Sequence, residues 1–378
     1  MLIGVDASRA ARAVRTGTEA YSLHLIRGML EAAPQYRFRL YSDRALPSDL
    51  TAPNAEPRAM PFPRGWTLAR LSVEMLVHSP DVLFVPAHVV PLIHPRTIVT
   101  IHDLGYLYFP QAHPLLARLY LDLSTRWSVQ VSTHIIADSQ VTKDDLVRHY
   151  SAPPGKITVA YPGRAESLNR VDDTTIIEAA KARYGIVGEY LFYIGTLQPR
   201  KNLVRLIQAF STLKHLHLHC APAQGQVSQI SNLKLVLAGS KGWLSDEILA
   251  QVKRLGLEDR VLFPGRVAEQ DKATLLSGAM ALVFPSLYEG FGLPVVEAMQ
   301  CGTPVICSNT SSLPEVAGDA ALLIDPLDVD ALARAMQQLI EDVDLRRQLI
   351  ERGYVQALKF SWQSCAAGVL SVLESVAG

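Results

Sequence analysis

Residues 284–302 read FPSLYEGFGLPVVEAMQCG and contain the most informative local pattern of the chain. The apolar run ALVFPS that leads into it is typical of a buried strand, Gly290 and Gly292 mark a turn, and the apolar run opened by Pro294 predicts a helix. Proline is favoured at a helix start because its missing N–H would have no partner there. The neighbouring amides and the helix dipole form a site for anions. The stretch therefore predicts a strand, loop and helix unit that can bind an anionic group.

Two carboxylates, Glu289 and Glu297, frame this unit at a spacing of eight residues. Glu297 is predicted in the first helical turn, where the helix dipole favours a glutamate and no ligand is needed to explain it. Glu289 lies in a loop beside flexible backbone, where a purely structural role explains a glutamate less well. Because a carboxylate repels phosphate, both side chains are better suited to accept hydrogen bonds from hydroxyl groups, such as those of a ribose and a sugar.

The length and composition are those of a globular protein with two domains. At 378 residues the chain is too long for one typical core. Its 36 basic and 36 acidic residues balance, which argues against a dedicated nucleic-acid-binding protein. The start, MLIGVDASRA, lacks a basic segment before its apolar run and predicts a strand rather than a signal peptide. No apolar run is long enough to span a bilayer, so the predicted location is the cytoplasm.

Strand-like and helix-like segments alternate along the chain. Apolar runs such as LIGVD, DVLFVP and TIVTIHD are separated by helix-length segments, and the pattern restarts at YLFYIGTL. Such alternation indicates parallel sheets with right-handed crossovers. The predicted fold class is α/β, with two Rossmann-like domains over residues 1–165 and 176–360 and a polar linker at 161–175. Residues 361–378 have the apolar spacing of a helix.

Charged side chains follow several predicted strands, and ligands of such sheets bind outside the carboxyl ends of the strands. Arg200 and Lys201 follow YLFYIG, where a fork-shaped donor and a point charge can neutralise a diphosphate and stabilise it as it departs. A solvated basic pair is the structural alternative. His102 and Asp103 end the run TIVTIHD, at a place where a lone histidine is more often structural than catalytic.

The E-x7-E pattern of Glu289 and Glu297 resembles the signature of retaining GT-B glycosyltransferases, a large family that includes sucrose synthase and many bacterial mannosyl- and glucosyltransferases. The resemblance extends along most of the chain. It implies two Rossmann-like domains that face each other across a cleft, with the C-terminal helix crossing back to the N-terminal domain. It also implies transfer of a hexose from a nucleotide diphosphate sugar, with retention of the anomeric configuration, in polysaccharide biosynthesis.

The resemblance assigns roles to the matching positions. The predicted catalytic residues are His102, Glu289, Arg200 and Lys201. Glu289 is expected at the transferred sugar, and a neutral His102 imidazole is expected to orient a sugar hydroxyl. The predicted donor-binding residues are Gly17, Thr18, Gly239, Arg266, Gly290, Phe291, Gly292, Leu293 and Glu297, the last of these at the ribose. Tight turns explain Gly239 and the pair at 17–18 equally well without a ligand, and that pair is a reduced form of the family's two glycines.

No bound metal and no cofactor are predicted. A D-x-D pattern at 328–330 lies at the start of a helix predicted near the end of the chain, where helix capping explains it. Three alternating histidines at 215–219 lie in an interrupting segment, HLHLHCAPAQGQVSQISN, which is typical of a solvated loop. The four cysteines lack C-x-x-C spacing and are predicted to be buried thiols: Cys220, Cys301, Cys307 and Cys365. Dinucleotide, P-loop, H-E-x-x-H and G-x-S-x-G motifs do not occur in the sequence.

The predicted function is transfer of a hexose, mannose before glucose, from GDP-mannose or UDP-glucose to a saccharide or lipid-linked acceptor. Two alternatives stay open: a nucleotide-sugar epimerase or hydrolase of the same architecture, and a non-catalytic sugar-nucleotide-binding protein. The segment PRGWTLARLSVEML, with Arg64, Trp66 and Arg70, leaves peripheral contact with the inner face of a membrane open, although a core-facing helix is more common. No nucleic acid is expected as a partner.

Overall fold

The computed structural model describes residues 1–13, 17–62, 64–112, 114–213 and 232–378. The chain forms two compact units. The N-terminal unit consists of Met1–Pro110, Pro114–Gly163 and Phe360–Gly378, and the C-terminal unit consists of Gln111–His113 and Arg164–Lys359.

The N-terminal unit contains a sheet of seven parallel strands in the order β3-β2-β1-β4-β5-β6-β7. The strands are β1 (Leu2–Asp6), β2 (Arg37–Ser42), β3 (Ala55–Ala59), β4 (Val82–Val85), β5 (Thr97–Ile101), β6 (His134–Ala137) and β7 (Ile157–Val159). Val5 of β1 pairs with Leu40 on one side and with Phe84 on the other. The strand order therefore reverses between β1 and β4, and the loops after these strands diverge there.

Helices cover this sheet on both faces. They include α1 (Gly17–Ala32), α2 (Ser72–Val77, which continues a π-helical turn at Thr67–Leu71), α3 (Gly105–Tyr108), α4 (Leu115–Val131) and α5 (Gln140–Tyr150). Neighbouring residues of one strand enter separate apolar cores: Phe84 joins the core that contains Val5, and Leu83 and Val85 join the other. Strands buried on both faces explain the continuous apolar runs of the sequence.

The C-terminal unit contains six parallel strands in the order β10-β9-β8-β11-β12-β13. They are β8 (Tyr190–Ile194), β9 (Lys234–Ala238), β10 (Val261–Leu262), β11 (Ala281–Phe284), β12 (Val305–Ser308) and β13 (Ala321–Ile324). Leu282 of β11 pairs with Phe192 and with Val305. Counted within the unit, the strand order is 3-2-1-4-5-6, which is the Rossmann order, and it reverses between β8 and β11.

The helices of the C-terminal unit are α6 (Thr174–Arg183), α7 (Leu203–Thr212), α8 (Asp246–Arg254), α9 (Glu269–Ser277), α10 (Leu293–Gln300), α11 (Leu313–Ala317), α12 (Val329–Glu341) and α13 (Val343–Ala357). Asp328 caps α12 by accepting a hydrogen bond from Ala331 N at 2.8 Å. The capping interpretation of the D-x-D pattern is therefore confirmed. The last helix, α14 (Trp362–Ala377), belongs to the N-terminal unit, where Ala366 and Val369 share a core with Met29 of α1.

The predicted α/β class with two Rossmann-like domains is confirmed, but three elements were not expected. Strands β3 and β7 form the edges of the N-terminal sheet, and α6 begins at Thr174, inside the end of the predicted linker. Strand β3 contains Pro57, which lacks a backbone N–H and is tolerated in a sheet chiefly at an edge. Among the helices of the described ranges, none combines the length and apolar character needed to cross a bilayer.

Candidate active site

The predicted basic pair and Glu289 meet where the strand order of the C-terminal sheet reverses. Arg200 and Lys201 lie in a 3-10 turn, Pro199–Lys201, after β8, and Glu289 lies in the loop after β11. Lys201 Nζ donates to Glu289 Oε1 at 2.5 Å, and Arg200 Nη1 lies 3.5 Å from Glu289 Oε2. Ligands of Rossmann-like sheets bind at this reversal. The structure thus brings together three of the four predicted catalytic residues.

Glu289 is ionised although it is buried. Its exposed fraction is 7%, and that of Lys201 is 8%. Burial acts to raise the pKa of Glu289, but the charges of Lys201 and Arg200 outweigh this effect and hold the pKa below its ordinary value. Two cations therefore surround one carboxylate, and the three side chains together carry a net positive charge that suits an anion.

Two serines hold the loop that carries Glu289. Glu289 N donates to Ser311 Oγ at 3.0 Å. Ser312 Oγ donates to the carbonyl oxygens of Glu289, at 3.0 Å, and of Phe291, at 2.8 Å. Both serines follow β12, the next strand of the sheet. Sequence reasoning missed them, although adjacent hydroxyl residues after the strand-like run PVICSN were a signal.

Gly292 has a conformational reason to be glycine. Its φ is +110°, and a Cβ added there would lie 2.7 Å from Leu313 Cδ2. It precedes α10, which begins at Leu293 and contains Pro294 in its first turn as predicted. Gly290 and Phe291 are buried beside it, and Leu293 is half-buried. Donor binding by these four residues stays a prediction.

Glu297 lies in the second turn of α10, which corrects the predicted first-turn position. The helix dipole therefore explains it less well, because that effect fades beyond the first turn. Its partner is Lys272 of α9, whose Nζ donates to Glu297 Oε1 at 2.5 Å. Burial lowers the pKa of Lys272, but the charge of Glu297 outweighs this and raises it. Sequence reasoning missed Lys272, which lies 25 positions away on another helix.

Gly239 and Arg266 follow the neighbouring strands β9 and β10. Gly239 has a φ of +143°, and an added Cβ would lie 1.9 Å from Gly195 O, so a close approach of two backbones requires glycine. Its N–H donates to Gly265 O at 2.8 Å, beside the exposed Arg266. The packing of the strand ends accounts for Gly239, and contact of either residue with the donor stays a prediction.

In the N-terminal unit, His102 connects the ends of three adjacent strands. It follows β5, its Nδ1 lies 2.7 Å from Asp138 Oδ2 after β6, and its Nε2 lies 3.1 Å from Pro86 O after β4. The ring of Tyr21 packs edge-on against it at 4.7 Å. Both ring nitrogens of His102 therefore have protein partners, which the sequence pattern did not anticipate.

The environment of His102 favours its protonated form. Burial lowers the pKa of His102, but the charge of Asp138 and its hydrogen bond outweigh burial, and the net shift is upward. A carbonyl and a carboxylate both accept hydrogen bonds, so each ring nitrogen carries a proton in this arrangement. This differs from the neutral imidazole predicted from the sequence. The role of His102 at the sugar stays a prediction.

His88 is a neutral histidine that sequence reasoning overlooked. Burial lowers its pKa to about 4, with the charge of His102 acting in the same direction. Its Nε2 donates to Asp103 O at 3.1 Å, and its ring lies 5.8 Å from that of His102. The carboxylate of Asp103 caps the following turn by accepting from Gly105 N at 2.8 Å.

Gly17 and Thr18 begin α1, directly after residues 14–16, which lie outside the described ranges. A Cβ added at Gly17 would meet nothing within 4 Å, so packing does not require glycine there. Thr18 O accepts a hydrogen bond from Ser22 Oγ at 2.9 Å. Contact of this pair with the donor stays a prediction.

The predicted buried thiols are confirmed for the cysteines that the structure describes, Cys301, Cys307 and Cys365. The histidines at 215–219 and Cys220 lie outside the described ranges. Within those ranges, no group of three or more metal-ligating side chains occurs.

Two protein families match the chain in succession. Residues 16–166 match Glycosyltransferase Family 4, and residues 178–356 match Glycosyl transferases group 1. Over 277 residues the chain is 34% identical to O-antigen chain mannosyltransferase B of Escherichia coli. The aligned region covers 73% of this chain and 69% of that protein. The chain belongs to this glycosyltransferase family. The predicted family and enzyme class are thus confirmed.

Further similarities place this glycosyltransferase among proteins of the same fold. It is 29% identical over 291 residues to the serotype-specific mannosyltransferase WbdA of Escherichia coli, covering 75% of this chain but only 33% of WbdA. The crystal structure of Anabaena HepE in complex with UDP and glucose superposes with a TM-score of 0.73 at 19% identity, over 99% of both chains. That likeness supports the GT-B fold predicted for the glycosyltransferase.

Proposed function

We propose that this glycosyltransferase moves a hexose from a nucleotide diphosphate sugar to a saccharide or lipid-linked acceptor, with retention of the anomeric configuration. The observation that carries the proposal is the buried cluster of Arg200, Lys201 and Glu289 at the reversal of strand order. This is the place where Rossmann-like sheets bind nucleotides. The net positive charge of the cluster suits the diphosphate of the donor.

The two cations have a chemical role during transfer. As the bond between the sugar and the diphosphate breaks, negative charge grows on the leaving phosphate oxygens. Fixed donors aimed at that charge lower the barrier, and removal of one such donor typically reduces turnover about 100- to 1,000-fold. Arg200 and Lys201 are held in place by Tyr288 O and Glu289, respectively, so little reorganisation is needed when charge develops.

The two glutamates serve different hydroxyl groups in this proposal. Glu289, kept ionised by its cations, accepts hydrogen bonds from the transferred sugar. Glu297, neutralised by Lys272, accepts hydrogen bonds from the ribose. His102, fixed between Asp138 and Pro86, shapes the sugar side of the N-terminal unit.

Mannose is the preferred sugar, and GDP-mannose the preferred donor, because the relatives of highest similarity described above are named mannosyltransferases. UDP-glucose is the second candidate, since a protein of the same fold was solved with UDP and glucose. A saccharide acceptor fits the O-antigen chain named for the first relative.

Product analysis with radiolabelled donors tests the proposal. A thermal-shift screen of nucleotide diphosphates first identifies the base, because a ligand present at 100 times its Kd stabilises the native state by about 2.7 kcal/mol. We expect label from GDP-mannose to appear in a larger saccharide or in a lipid extract, with the anomeric configuration of the donor. Release of free sugar would indicate a hydrolase, an isomerised donor would indicate an epimerase, and binding without turnover would indicate a non-catalytic protein.

A further inference from the structure

Trp243, in the turn between β9 and α8, is the most exposed of the four tryptophans. Its exposed fraction is 60%, whereas Trp127 is partly buried and Trp362 is 6% exposed. Trp66 is 8% exposed and donates to Met60 O at 2.9 Å, so it belongs to the core and not to the surface contact that the sequence left open. Within the described ranges, Trp243 has no hydrogen bond and no stacked ring. Its indole is therefore available to a ligand.

The turn that carries Trp243 has a fixed backbone. Gly242 N donates to Leu197 O at 2.9 Å, and a Cβ added at Gly242 would lie 2.7 Å from Thr196 Cγ2. Leu244 has a φ of +54°, a left-handed conformation that residues other than glycine seldom adopt. Strained residues of this kind are found preferentially at sites that bind ligands. Because the backbone on both sides of Trp243 is held in place, binding a ligand there orders little additional chain.

The same turn is bonded to the loop that carries the basic pair. Leu197 N donates to Ser240 O at 2.9 Å, and Leu197 pairs with Lys241 in a parallel bridge. Leu197 lies three positions before Arg200. Strands β8 and β9 are parallel neighbours, so both loops lie at the carboxyl edge of the sheet, where ligands of such sheets bind. The turn of Trp243 therefore adjoins the cluster proposed for the donor diphosphate.

The groups proposed for the ribose lie on the other side of this turn. Lys272, the partner of Glu297, is in the first turn of α9, the helix that follows β10. Gly239 N donates to Gly265 O at 2.8 Å and so joins the loops after β9 and β10. In the sheet, β9 lies between β8 and β10. A nucleotide that meets the loop after β8 with its diphosphate and Glu297 with its ribose therefore has the β9 loop within reach of its base.

The chemistry of an exposed indole suits a nucleobase. The diphosphate of the donor needs positive charge, which Arg200 and Lys201 provide, and its hydroxyl groups need acceptors, which Glu289 and Glu297 provide. An indole has neither charge nor an acceptor, but it presents a flat π face. Every nucleobase has a flat π face as well, and aromatic side chains stack on it. The base is thus the part of the donor that matches Trp243.

We propose that Trp243 stacks on the base of the nucleotide diphosphate donor and contributes to the affinity for the nucleotide and to the choice of base. The inference rests on the proposed function, since it requires a nucleotide donor. A purine has two fused rings and covers more of the indole than a pyrimidine does, so the contact favours GDP over UDP. A sugar ring of the acceptor is the other flat group that an indole could meet, and the experiment separates the two.

Calorimetric titration of the full chain with GDP, UDP and inorganic diphosphate tests the proposal. We expect Trp243→Ala to bind GDP about tenfold more weakly than the wild type, a loss of about 1.4 kcal/mol that lies within the range of base stacking. The loss for UDP should be smaller, about threefold, and inorganic diphosphate, which has no base, should bind as before. Trp243→Phe keeps a π face and should recover most of the affinity. The matched control is Leu358→Ala just after α13, where the exposed fraction is 65% and no change is expected.

Tryptophan fluorescence provides a second readout. A base stacked on Trp243 should quench the emission of the wild type, and Trp243→Phe saturated with GDP should show no quenching. Thermal unfolding without ligand checks that each variant is folded.

Three outcomes would overturn the inference. Equal GDP affinity of Trp243→Ala and the wild type, without quenching, would remove the stacking contact but leave the proposed function intact. Unchanged nucleotide affinity with a raised KM for the acceptor would assign the indole to an acceptor sugar. A wild type that binds neither GDP nor UDP would contradict the proposed function together with the inference.

Discussion

Lys201 and Glu289 are 88 positions apart in the sequence, yet they form a buried ion pair with Nζ and Oε1 separated by 2.5 Å. The pair joins the loops after β8 and β11, the two strands between which the strand order of the C-terminal sheet reverses. The pair holds Glu289, which is proposed to accept hydrogen bonds from the sugar, beside Lys201, which is proposed to bind the diphosphate.

Neutralising the basic pair is expected to weaken both binding and turnover. Arg200→Met and Lys201→Met should each lower donor affinity and reduce turnover about 100-fold or more, because the lost charge acts most strongly when the diphosphate departs. Donor affinity and turnover are measured by kinetics with varied donor concentration. Calorimetry compares binding of the nucleoside with binding of its diphosphate. If the double variant preferred the diphosphate over the nucleoside as strongly as the wild type does, the diphosphate role would be wrong.

Lys201→Met should also destabilise the fold, since it leaves Glu289 buried without its nearest cation, and loss of one partner of a buried pair costs about 3–5 kcal/mol. Adding Glu289→Gln to it is expected to recover part of that loss. Thermal unfolding of the single and double variants therefore separates the structural cost from the effect on binding.

Glu289 and Glu297 are expected to differ in what they control. Glu297→Ala should weaken nucleotide binding, because its carboxylate is assigned to the ribose, whereas Glu289→Ala should chiefly slow turnover. Calorimetry with the nucleotide diphosphate is compared with turnover at saturating donor for both variants. Equal losses of binding with no difference in turnover would contradict this division.

Lys272 is expected to act on nucleotide binding through Glu297. Lys272→Met removes the hydrogen bond to Glu297 Oε1 and should lower nucleotide affinity about tenfold, while Lys272→Arg should restore much of it. Inorganic diphosphate, which has no ribose, is the control ligand in the same calorimetric titration. An equal loss of affinity for inorganic diphosphate would show that Lys272 acts on the whole site and not through the ribose.

His102 should make stability depend on pH. Its pKa is raised in the folded state above the ordinary 6.5, so its stabilisation is present below pH 6.5 and is lost as the pH rises through the folded pKa. We expect the wild type to exceed His102→Gln in free energy of unfolding by about 2 kcal/mol at mildly acidic pH, with a smaller difference at alkaline pH. Denaturant unfolding of both proteins across this range measures the difference. A difference that stays constant, or that grows with pH, would remove the charged interaction with Asp138 as its cause.

Substitution of two glycines that are predicted to contact the donor should affect the melting temperature differently. Gly239→Ala places a Cβ 1.9 Å from Gly195 O and should lower the melting temperature strongly, because backbone must move to relieve the overlap. Gly17→Ala meets nothing within 4 Å and should leave the melting temperature nearly unchanged, so any loss of donor affinity there reports on the site itself. The comparison uses thermal unfolding of the two variants without ligand, and similar melting temperatures would contradict it.

Local patterns predicted most of the strands because both faces of each sheet are covered, which makes the central strands continuous apolar runs. Edge strands β3 and β7 lacked that signature, and β3 even contains Pro57. The loop residues Arg200, Lys201 and Glu289 could be predicted because a functional residue after a parallel strand must lie at the carboxyl edge of its sheet. The ion pair between these residues could not be predicted, since no single segment of the sequence shows the order of the strands in the sheet.

The alternation of strands and helices, the turn at Gly292 and the family of the chain could be predicted without the fold, because hydrophobic period and local backbone conformation depend on near neighbours. The fold was needed to establish which polar groups meet: Lys272 with Glu297, Lys201 with Glu289, and His102 with the Asp138 carboxylate and the Pro86 carbonyl. The fold also established that α4 buries Ser124 and Ser128 and exposes Leu116 and Leu123, since periodicity gives a helix two faces but not which of them is buried. Burial and ion pairing depend on residues that strand order and helix packing bring together from distant positions, so no local pattern could predict them.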